Sequence, residues 1–314
     1  MFQVSRLDSL RLEFSTTTIH TQDLDFFRIT VILEGLADSW KAMESCSWKR
    51  LVEEFGDYYW RFSDTHGACM MLKTYSKYVN TLEGQVDDSP LAVYDSQLDG
   101  DERSSLLNDY TVPKCFAAPD LFEGLSDEER PPYRWILMGP ARSGTGLHID
   151  PLGTHAWVTV VEGLKRWVLF PPNVTELSSI GMQTPQIPSV IWFSEWHERA
   201  IANIPEAIEI LQRPGETVYV PSGWPHIVLN LERTVAITQN YATEYPSFSR
   251  VEAFVKEEEP ELFVKWIDHL QRVRPDLTNN SLHKVEKGEN YSTRLGCLPR
   301  SRDPLGAIQE SLST

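Results

Sequence analysis

The chain of 314 residues is 41% hydrophobic and carries a formal net charge of −16 at pH 7, which allows one large domain with an ample core. The acidity disfavours direct, non-specific binding to nucleic acid and suits basic partners such as Lys/Arg-rich protein segments. The four cysteines form no Cys-x-x-Cys pair, and we find no signal peptide and no apolar run of membrane-spanning length. We therefore expect a reducing compartment inside the cell, with no disulfide framework, no zinc site and no membrane span.

The first 130 residues have a mixed pattern. Residues 23 to 80 are partly helical in character, and Ser47 before a run that ends at Phe55 and Gly56 predicts a helix with a serine cap. Residues 99 to 130 are polar and predict loops, which we interpret as a border of the substrate groove. We expect residues 1 to 130 to form α/β elements that flank the central domain.

Short strands separated by turns begin near residue 131. Residues 133–138, 157–161 and 165–170 are rich in β-branched and aromatic side chains, and Gly-Pro, Glu-Gly and Pro-Pro pairs punctuate them. This pattern predicts an all-β barrel or sandwich, which we place at residues 131 to 245.

The segments Gly-Leu-His-Ile-Asp at 146–150 and Pro-Ser-Gly-Trp-Pro-His at 221–226 indicate a metal site. In an extended strand His148 and Asp150 point to the same face, so both can hold one ion. His226 from another strand would complete a two-histidine, one-carboxylate triad, which leaves coordination positions open for a co-substrate and oxygen and is typical of non-haem iron oxygenases. A His-x-Asp pair alone is weak evidence, so the prediction depends on the surrounding strands and turns.

Two segments closely resemble the Jumonji-C (JmjC) oxygenases: PPYRWILMGPARSGTGLHIDPLGTHAWVTVVEGLKRWVLFPP at 131–172 and PSGWPHIVLNLERTVAITQNY at 221–241. The likeness extends over about residues 25 to 245. It is strongest to the phosphatidylserine-receptor-type branch, which includes arginine demethylases and lysyl hydroxylases. The resemblance implies a mainly β fold, a double-stranded β-helix of the cupin or jelly-roll type. It also implies that His148, Asp150 and His226 bind Fe(II) and that 2-oxoglutarate is the co-substrate.

Three further residues are candidates for binding 2-oxoglutarate. Lys165 lies in an apolar strand where its charge needs an anionic partner, which the far carboxylate of 2-oxoglutarate would supply. Thr238 lies in a strand after the second histidine and could donate to the same carboxylate, and the resemblance adds Thr145 as a third donor. The alternatives are a lysine whose head reaches solvent at a hairpin edge and a threonine that merely favours a strand.

Two positions depart from the pattern of the branch. Its members usually carry an asparagine ten residues after the first histidine, where this chain has Val158. They also carry a tyrosine in a Pro-Leu-Tyr segment, where this chain has Ala92. Each change removes a hydrogen-bonding group close to the co-substrate, so we expect weakened or rearranged 2-oxoglutarate binding.

Weaker expectations concern other polar residues. We interpret His155 as a structural histidine rather than a fourth ligand, and Arg142 as a solvated loop charge. Asn240 and Tyr241 either face the substrate or finish a strand.

The pattern becomes helical after Pro246. Apolar residues recur at helical spacing from Phe248 to Leu270, and the chain is polar from Asn279 onward. Residues 246 to 314 are thus expected to form helices and a polar tail. The helices either cap the barrel or, by resemblance, form a homodimer interface.

Three classes of function remain open at this stage. The first is an oxygenase that acts on protein, by lysyl hydroxylation or by demethylation of methyl-arginine or methyl-lysine, with histone-like basic substrates included. The second is an oxygenase of the same fold with a nucleic-acid or small-molecule substrate, and the third is a JmjC scaffold without catalytic activity. The resemblance favours the first class and a location in the nucleus or cytoplasm.

Overall fold

A computed structural model describes residues 11–13, 30–62, 68–174, 176–183, 185–245 and 247–278. The strands of this part of the chain are β1 (Arg11–Glu13), β2 (Val31–Glu34), β3 (Tyr59–Phe62), β4 (Ala68–Met71), β5 (Val93–Asp95), β6 (Arg134–Gly139), β7 (Gly144–His148), β8 (His155–Glu162), β9 (Lys165–Leu169), β10 (Ile208–Gln212), β11 (Thr217–Val220), β12 (His226–Asn230) and β13 (Thr234–Tyr241). The α-helices are α1 (Ala42–Ser45), α2 (Trp48–Phe55), α3 (Leu72–Val79), α4 (Leu82–Val86), α5 (Ser189–Glu195), α6 (His197–Asn203), α7 (Phe248–Glu258) and α8 (Pro260–Val273). Short 3-10 helices occupy Glu102–Asn108, Lys114–Phe116, Pro151–Gly153 and Leu177–Ile180.

Two sheets carry the architecture. The larger has nine described strands in the order β1-β2-β11-β8-β13-β6-β5-β3-β4, and the smaller has the order β10-β9-β12-β7. From β6 to β13 the chain passes repeatedly between the two sheets, so that β6, β8, β11 and β13 form the centre of the larger sheet and β7, β9, β10 and β12 form the smaller one. This winding is the double-stranded β-helix that the resemblance implied, and the mainly β fold class is confirmed.

The space between the sheets is filled by apolar side chains. Strands of both sheets contribute, among them Val158 and Val218 from the larger sheet and Trp167 and Val228 from the smaller one. Successive residues of a strand point to opposite faces, so the same strands also present apolar side chains outward. The near-continuous burial of β8, β11, β12 and β13 follows from this two-sided covering.

Helices cover the outer faces of both sheets. Helix α2 and the segment before α1 pack aromatic side chains, among them Trp48 and Trp40, against the outer face of the larger sheet. Helices α5 and α6, inserted between β9 and β10, cover the smaller sheet, with Trp192 fully buried against it. Helices α7 and α8 pack on the end of the barrel where Leu152 and Ala242 lie.

The helix predicted after Ser47 is present as α2, and Gly56 follows its last residue. Ser47 occupies the N-cap position, but its hydroxyl donates to the Glu44 carbonyl instead of accepting from the first turn, so the expected serine cap is absent from α2. The helices predicted after Pro246 are α7 and α8. The predicted polar tail after Asn279 lies outside the described residues.

No helix in the described ranges is both long enough and apolar enough to cross a bilayer. The boundaries at residues 130 and 245 stay predictions. The strands β3, β4 and β5, which precede the first boundary, join the larger sheet through the pairing of β5 with β6.

Candidate metal centre

The two candidate histidines are neighbours across the smaller sheet. His148 is the last residue of β7 and His226 is the first residue of β12, and they face each other in the antiparallel pairing of these strands. Their ring centroids are 4.2 Å apart. Strand register therefore brings together two residues that lie far apart in the sequence.

The carboxylate of Asp150 completes the cluster. Its Oδ1 lies 3.8 Å from Nε2 of His148 and 3.9 Å from Nε2 of His226. One potential ligand atom from each residue lies within 4.8 Å of the others. The three predicted metal residues thus converge as two imidazoles and one carboxylate, the donor set of the facial triad.

Backbone carbonyls fix the tautomer of both histidines. Nδ1 of His148 lies 2.8 Å from the Gly146 carbonyl oxygen, and Nδ1 of His226 lies 2.9 Å from that of Trp224. Because a carbonyl can only accept, each Nδ1 carries the hydrogen and each Nε2 keeps a lone pair. Both lone pairs are then free to bind a metal on the side of Asp150. At histidine metal sites the other ring nitrogen commonly donates to a carbonyl or carboxylate in this way.

The electrostatics of the cluster also fit a cation. Burial, and then the nearby His226, lower the pKa of His148 to about 3, although 23% of its side-chain surface remains accessible through the cavity. Burial raises the pKa of Asp150, against the effects of His226 and the Asn240 amide. Oδ2 of Asp150 is buried and has no hydrogen-bond partner among the described residues. A buried carboxylate oxygen without a partner is costly, and a divalent ion at the triad would remove that cost.

The triad opens into a cavity of about 180 Å3 inside the β-helix. Its walls combine the three metal residues with polar and apolar side chains of both sheets. The lining residues besides the triad are Tyr94, Trp135, Leu137, Thr145, Ile149, Pro151, Ala156, Val158, Lys165, Trp167, Val220, Val228, Thr238 and Asn240. A larger surface cleft of about 400 Å3, bordered by Glu176 and Glu206, has neither histidine nor lysine in its lining.

Lys165, the predicted partner of the far carboxylate, lines this cavity. Its side chain is buried, and Nζ donates to Oδ1 of Asn230 at 2.8 Å, whose amide in turn donates to Ser143 at 2.9 Å. No carboxylate of the described part of the chain forms an ion pair with it, and burial lowers its pKa to about 7. A buried ammonium without a charged partner is costly, and an anion bound in the cavity would remove that cost.

The two predicted threonines line the same cavity, and their hydroxyls have different hydrogen-bond partners. Oγ1 of Thr145 lies 2.9 Å from the Tyr94 hydroxyl, and the hydroxyl of Thr238 donates to the Trp157 carbonyl at 3.0 Å. Thr145 can lie in this tight segment because the preceding Gly144 approaches β12 so closely that a Cβ there would be 2.0 Å from the Val228 carbonyl oxygen.

Both departures from the branch pattern are visible here. Val158 forms part of the cavity wall and faces Thr238 across the β8–β13 pairing. Ala92 precedes β5 and does not reach the cavity lining. Binding of a metal or 2-oxoglutarate by the named residues stays a prediction that this arrangement supports.

The remaining polar candidates have other partners. Nδ1 of His155 accepts from the backbone N–H of Ser222 at 3.0 Å and lies 2.6 Å from the Tyr219 hydroxyl, so it joins the buried core. Arg142 donates to the Gln85 carbonyl. Asn240 faces the cavity and donates to Thr154 at 2.9 Å.

Sequence reasoning missed Tyr94 and Asn230. Asn230 faces Lys165 in the pairing of β12 with β9, a register that could not be read from local sequence. Tyr94 could have been found, because it lies two residues after Ala92 and therefore on the same face of the strand.

The winding of the two sheets and the buried cluster of two histidines and one carboxylate define a cupin-type protein with a facial-triad metal site. Comparison with known proteins narrows this class. The model of the family described as "JmjC domain, hydroxylase" matches residues 135–241.

Similar proteins belong to the same group. The bifunctional arginine demethylase and lysyl-hydroxylase psr-1 of Caenorhabditis elegans is 36% identical over 284 residues, covering 87% of this chain and 70% of the worm protein. Lysine-specific demethylase JMJ21 of Arabidopsis thaliana is 40% identical over 224 residues, which cover 68% of this chain and 23% of the plant protein. Arginine-specific demethylase JMJ22 of the same plant is 38% identical over 218 residues, 68% of this chain and 42% of that protein.

The chain belongs to the JmjC family. The predicted family and its branch are confirmed, and over these matches the chain spans less than half the length of the two plant relatives.

Proposed function

We propose that this chain is an Fe(II)- and 2-oxoglutarate-dependent oxygenase that modifies protein side chains. The observation that carries the proposal is the presence, in one cavity, of a triad with an unsatisfied carboxylate oxygen and a buried lysine without an anionic partner. A cation at the first and a dicarboxylate reaching the second would satisfy both. Relatives named as demethylases, hydroxylases and 2-oxoglutarate and iron-dependent oxygenases support the same assignment.

The proposed residues lie at two ends of the cavity, one of which binds the metal and the other the far carboxylate of 2-oxoglutarate. Bound Fe(II) and 2-oxoglutarate would supply the oxidising power for reaction of molecular oxygen with a substrate C–H bond, with succinate and carbon dioxide as co-products. His148, Asp150 and His226 hold the metal, while Lys165 and the hydroxyls of Thr145 and Thr238 orient the far carboxylate. The apolar walls exclude water, which strengthens the interaction of Lys165 with its partner.

The substrate is a protein segment rich in basic residues, a proposal supported by the net charge of −16 and by the names of the relatives. Lysyl hydroxylation and demethylation of methyl-arginine or methyl-lysine use the same metal and co-substrate residues. Mass spectrometry of basic peptides distinguishes them, because hydroxylation adds one oxygen and demethylation removes a methyl group. Homodimerisation through α7 and α8 and location in the nucleus or cytoplasm stay predictions.

The test is succinate formation from 2-oxoglutarate by the purified protein with Fe(II) and ascorbate. We expect activity in the wild-type protein and none above background in His148→Ala. If the wild-type protein forms no more succinate than His148→Ala, the result would instead support the non-catalytic scaffold. That alternative is motivated by Val158 and Ala92.

A further inference from the structure

Tyr94 enters the co-substrate cavity from the strand next to β6. It lies in the middle of β5 and faces Leu137 in the antiparallel pairing, and both side chains line the cavity. Its neighbours in β5 point the other way: Val93 joins the outer core and Asp95 pairs with Arg103. Strand alternation therefore directs the phenol inward.

The hydroxyl of Tyr94 is adjacent to Thr145, one of the residues predicted to bind 2-oxoglutarate. It donates to the Gly144 carbonyl at 2.8 Å and lies 2.9 Å from Oγ1 of Thr145. Each hydroxyl has one hydrogen and can accept as well, so this pair can turn its hydrogens toward a better acceptor. A carboxylate is such an acceptor, because hydrogen bonds to a charged group are about twice as strong as neutral ones.

Tyr94 also lies where it can replace the tyrosine that the branch carries at position 92. Ala92 lies immediately before β5 and Tyr94 lies within it. Because residues two apart in an extended chain point to the same side, the Tyr94 hydroxyl can serve in place of a hydroxyl at position 92. Val158 and Val228, which also line the cavity, offer no side-chain donors. The cavity lining has three hydroxyl groups, those of Tyr94, Thr145 and Thr238, and only the first two lie within hydrogen-bonding distance of each other.

We infer that Tyr94 anchors the co-substrate, its phenol donating with Thr145 and Lys165 to the far carboxylate of 2-oxoglutarate. The inference rests on the proposed function and deepens it. It also explains how the chain can bind this anion without the hydrogen-bonding groups that Val158 and Ala92 replace.

The test compares wild-type protein with Tyr94→Phe, which removes only the hydroxyl. Both are loaded with Mn(II) in place of Fe(II), and dissociation constants are measured by calorimetry for 2-oxoglutarate and for 2-oxovalerate, which lacks the far carboxylate. Tyr78→Phe is the matched control, because its hydroxyl binds Asp87 and the backbone N–H of Leu91, away from the cavity lining.

We expect Tyr94→Phe to weaken 2-oxoglutarate binding by between about 10-fold and 100-fold, the loss of one hydrogen bond to a charged group. Binding of 2-oxovalerate and the behaviour of Tyr78→Phe should not change. Unchanged 2-oxoglutarate binding, or equal losses for both ligands, would overturn the inference and leave the proposed function standing. Failure of the wild-type protein to bind 2-oxoglutarate would overturn both.

Discussion

At the scale of single residues, the metal centre is organised by backbone carbonyls. The Gly146 and Trp224 carbonyls hold the two imidazoles with Nε2 facing the Asp150 carboxylate. Burial also lowers the pKa of His148 to about 3, so this histidine needs no proton loss before it binds an ion near neutral pH. The carboxylate is the member of the triad that is least stable without metal, because burial raises its pKa and Oδ2 lacks a described partner.

Replacing Asp150 by Asn tests this view of the carboxylate. The metal-free variant should be at least as stable as the wild type, because a buried charge has been removed. Added Mn(II) at about 100 times the wild-type dissociation constant should stabilise the wild-type protein by about 2.7 kcal/mol and the variant hardly at all. Thermal unfolding with and without the ion measures both effects. A full metal-induced shift in the variant would show that Asp150 is not a ligand.

Lys165 predicts a pH dependence of stability in the protein free of co-substrate. Burial lowers its folded-state pKa from 10.5 to about 7, so between these values the unfolded chain binds more protons than the folded one. The free energy of unfolding should then rise with pH across this window, relative to Lys165→Met. Denaturant unfolding of the two proteins at several pH values measures the difference. Parallel pH profiles would contradict the buried, unpaired ammonium.

At the scale of secondary structure elements, helix α7 contacts both segments that carry the predicted metal ligands. Arg250 donates to the Ser222 carbonyl, in the turn before His226. Phe254 packs on Gly153, just after Asp150, where a Cβ would lie 2.5 Å from the Phe254 ring and the backbone φ is +63°. One helix thus contacts the turns on both sides of the ion site.

Phe254→Ala should therefore affect more than stability. Removal of a buried phenylalanine costs about 3 to 5 kcal/mol, and it also leaves the segment after Asp150 without support. We expect lower unfolding free energy and weaker Mn(II) binding. Phe248→Ala, on the same helix but packed on Trp266, should lower stability alone. Equal metal affinity in all three proteins would show that α7 only caps the barrel.

The elements also show what the sequence could predict. The ligand strands, the turns between them and the C-terminal helices follow from local periodicity and turn residues, and the structure contains them. The partnership of Lys165 with Asn230 depends on the register between β9 and β12, and the supporting contacts of α7 depend on long-range packing; neither leaves a local signal. Tyr94 does carry a local signal, because it lies two residues after Ala92 and side chains alternate along an extended chain.

At the scale of the whole molecule, the acidic charge sets an expectation for substrate capture. A net charge of −16 should attract basic peptides over a distance limited by the ionic strength. The KM for a Lys/Arg-rich peptide should therefore rise as salt is increased from about 10 mM to about 150 mM, while kcat changes little. Steady-state kinetics at several salt concentrations test this. A KM that does not depend on salt would argue against electrostatic recognition of the substrate.

The central prediction is that one cavity holds an ion at His148, Asp150 and His226 and a dicarboxylate at Lys165. The direct measurement is a crystal structure of the full chain grown with Mn(II) and 2-oxoglutarate, with anomalous data for the metal. The predicted result is one strong anomalous peak in contact with both Nε2 atoms and the Asp150 carboxylate, and co-substrate density reaching Lys165. A peak at another position, or a triad that binds no ion at saturating Mn(II), would contradict it.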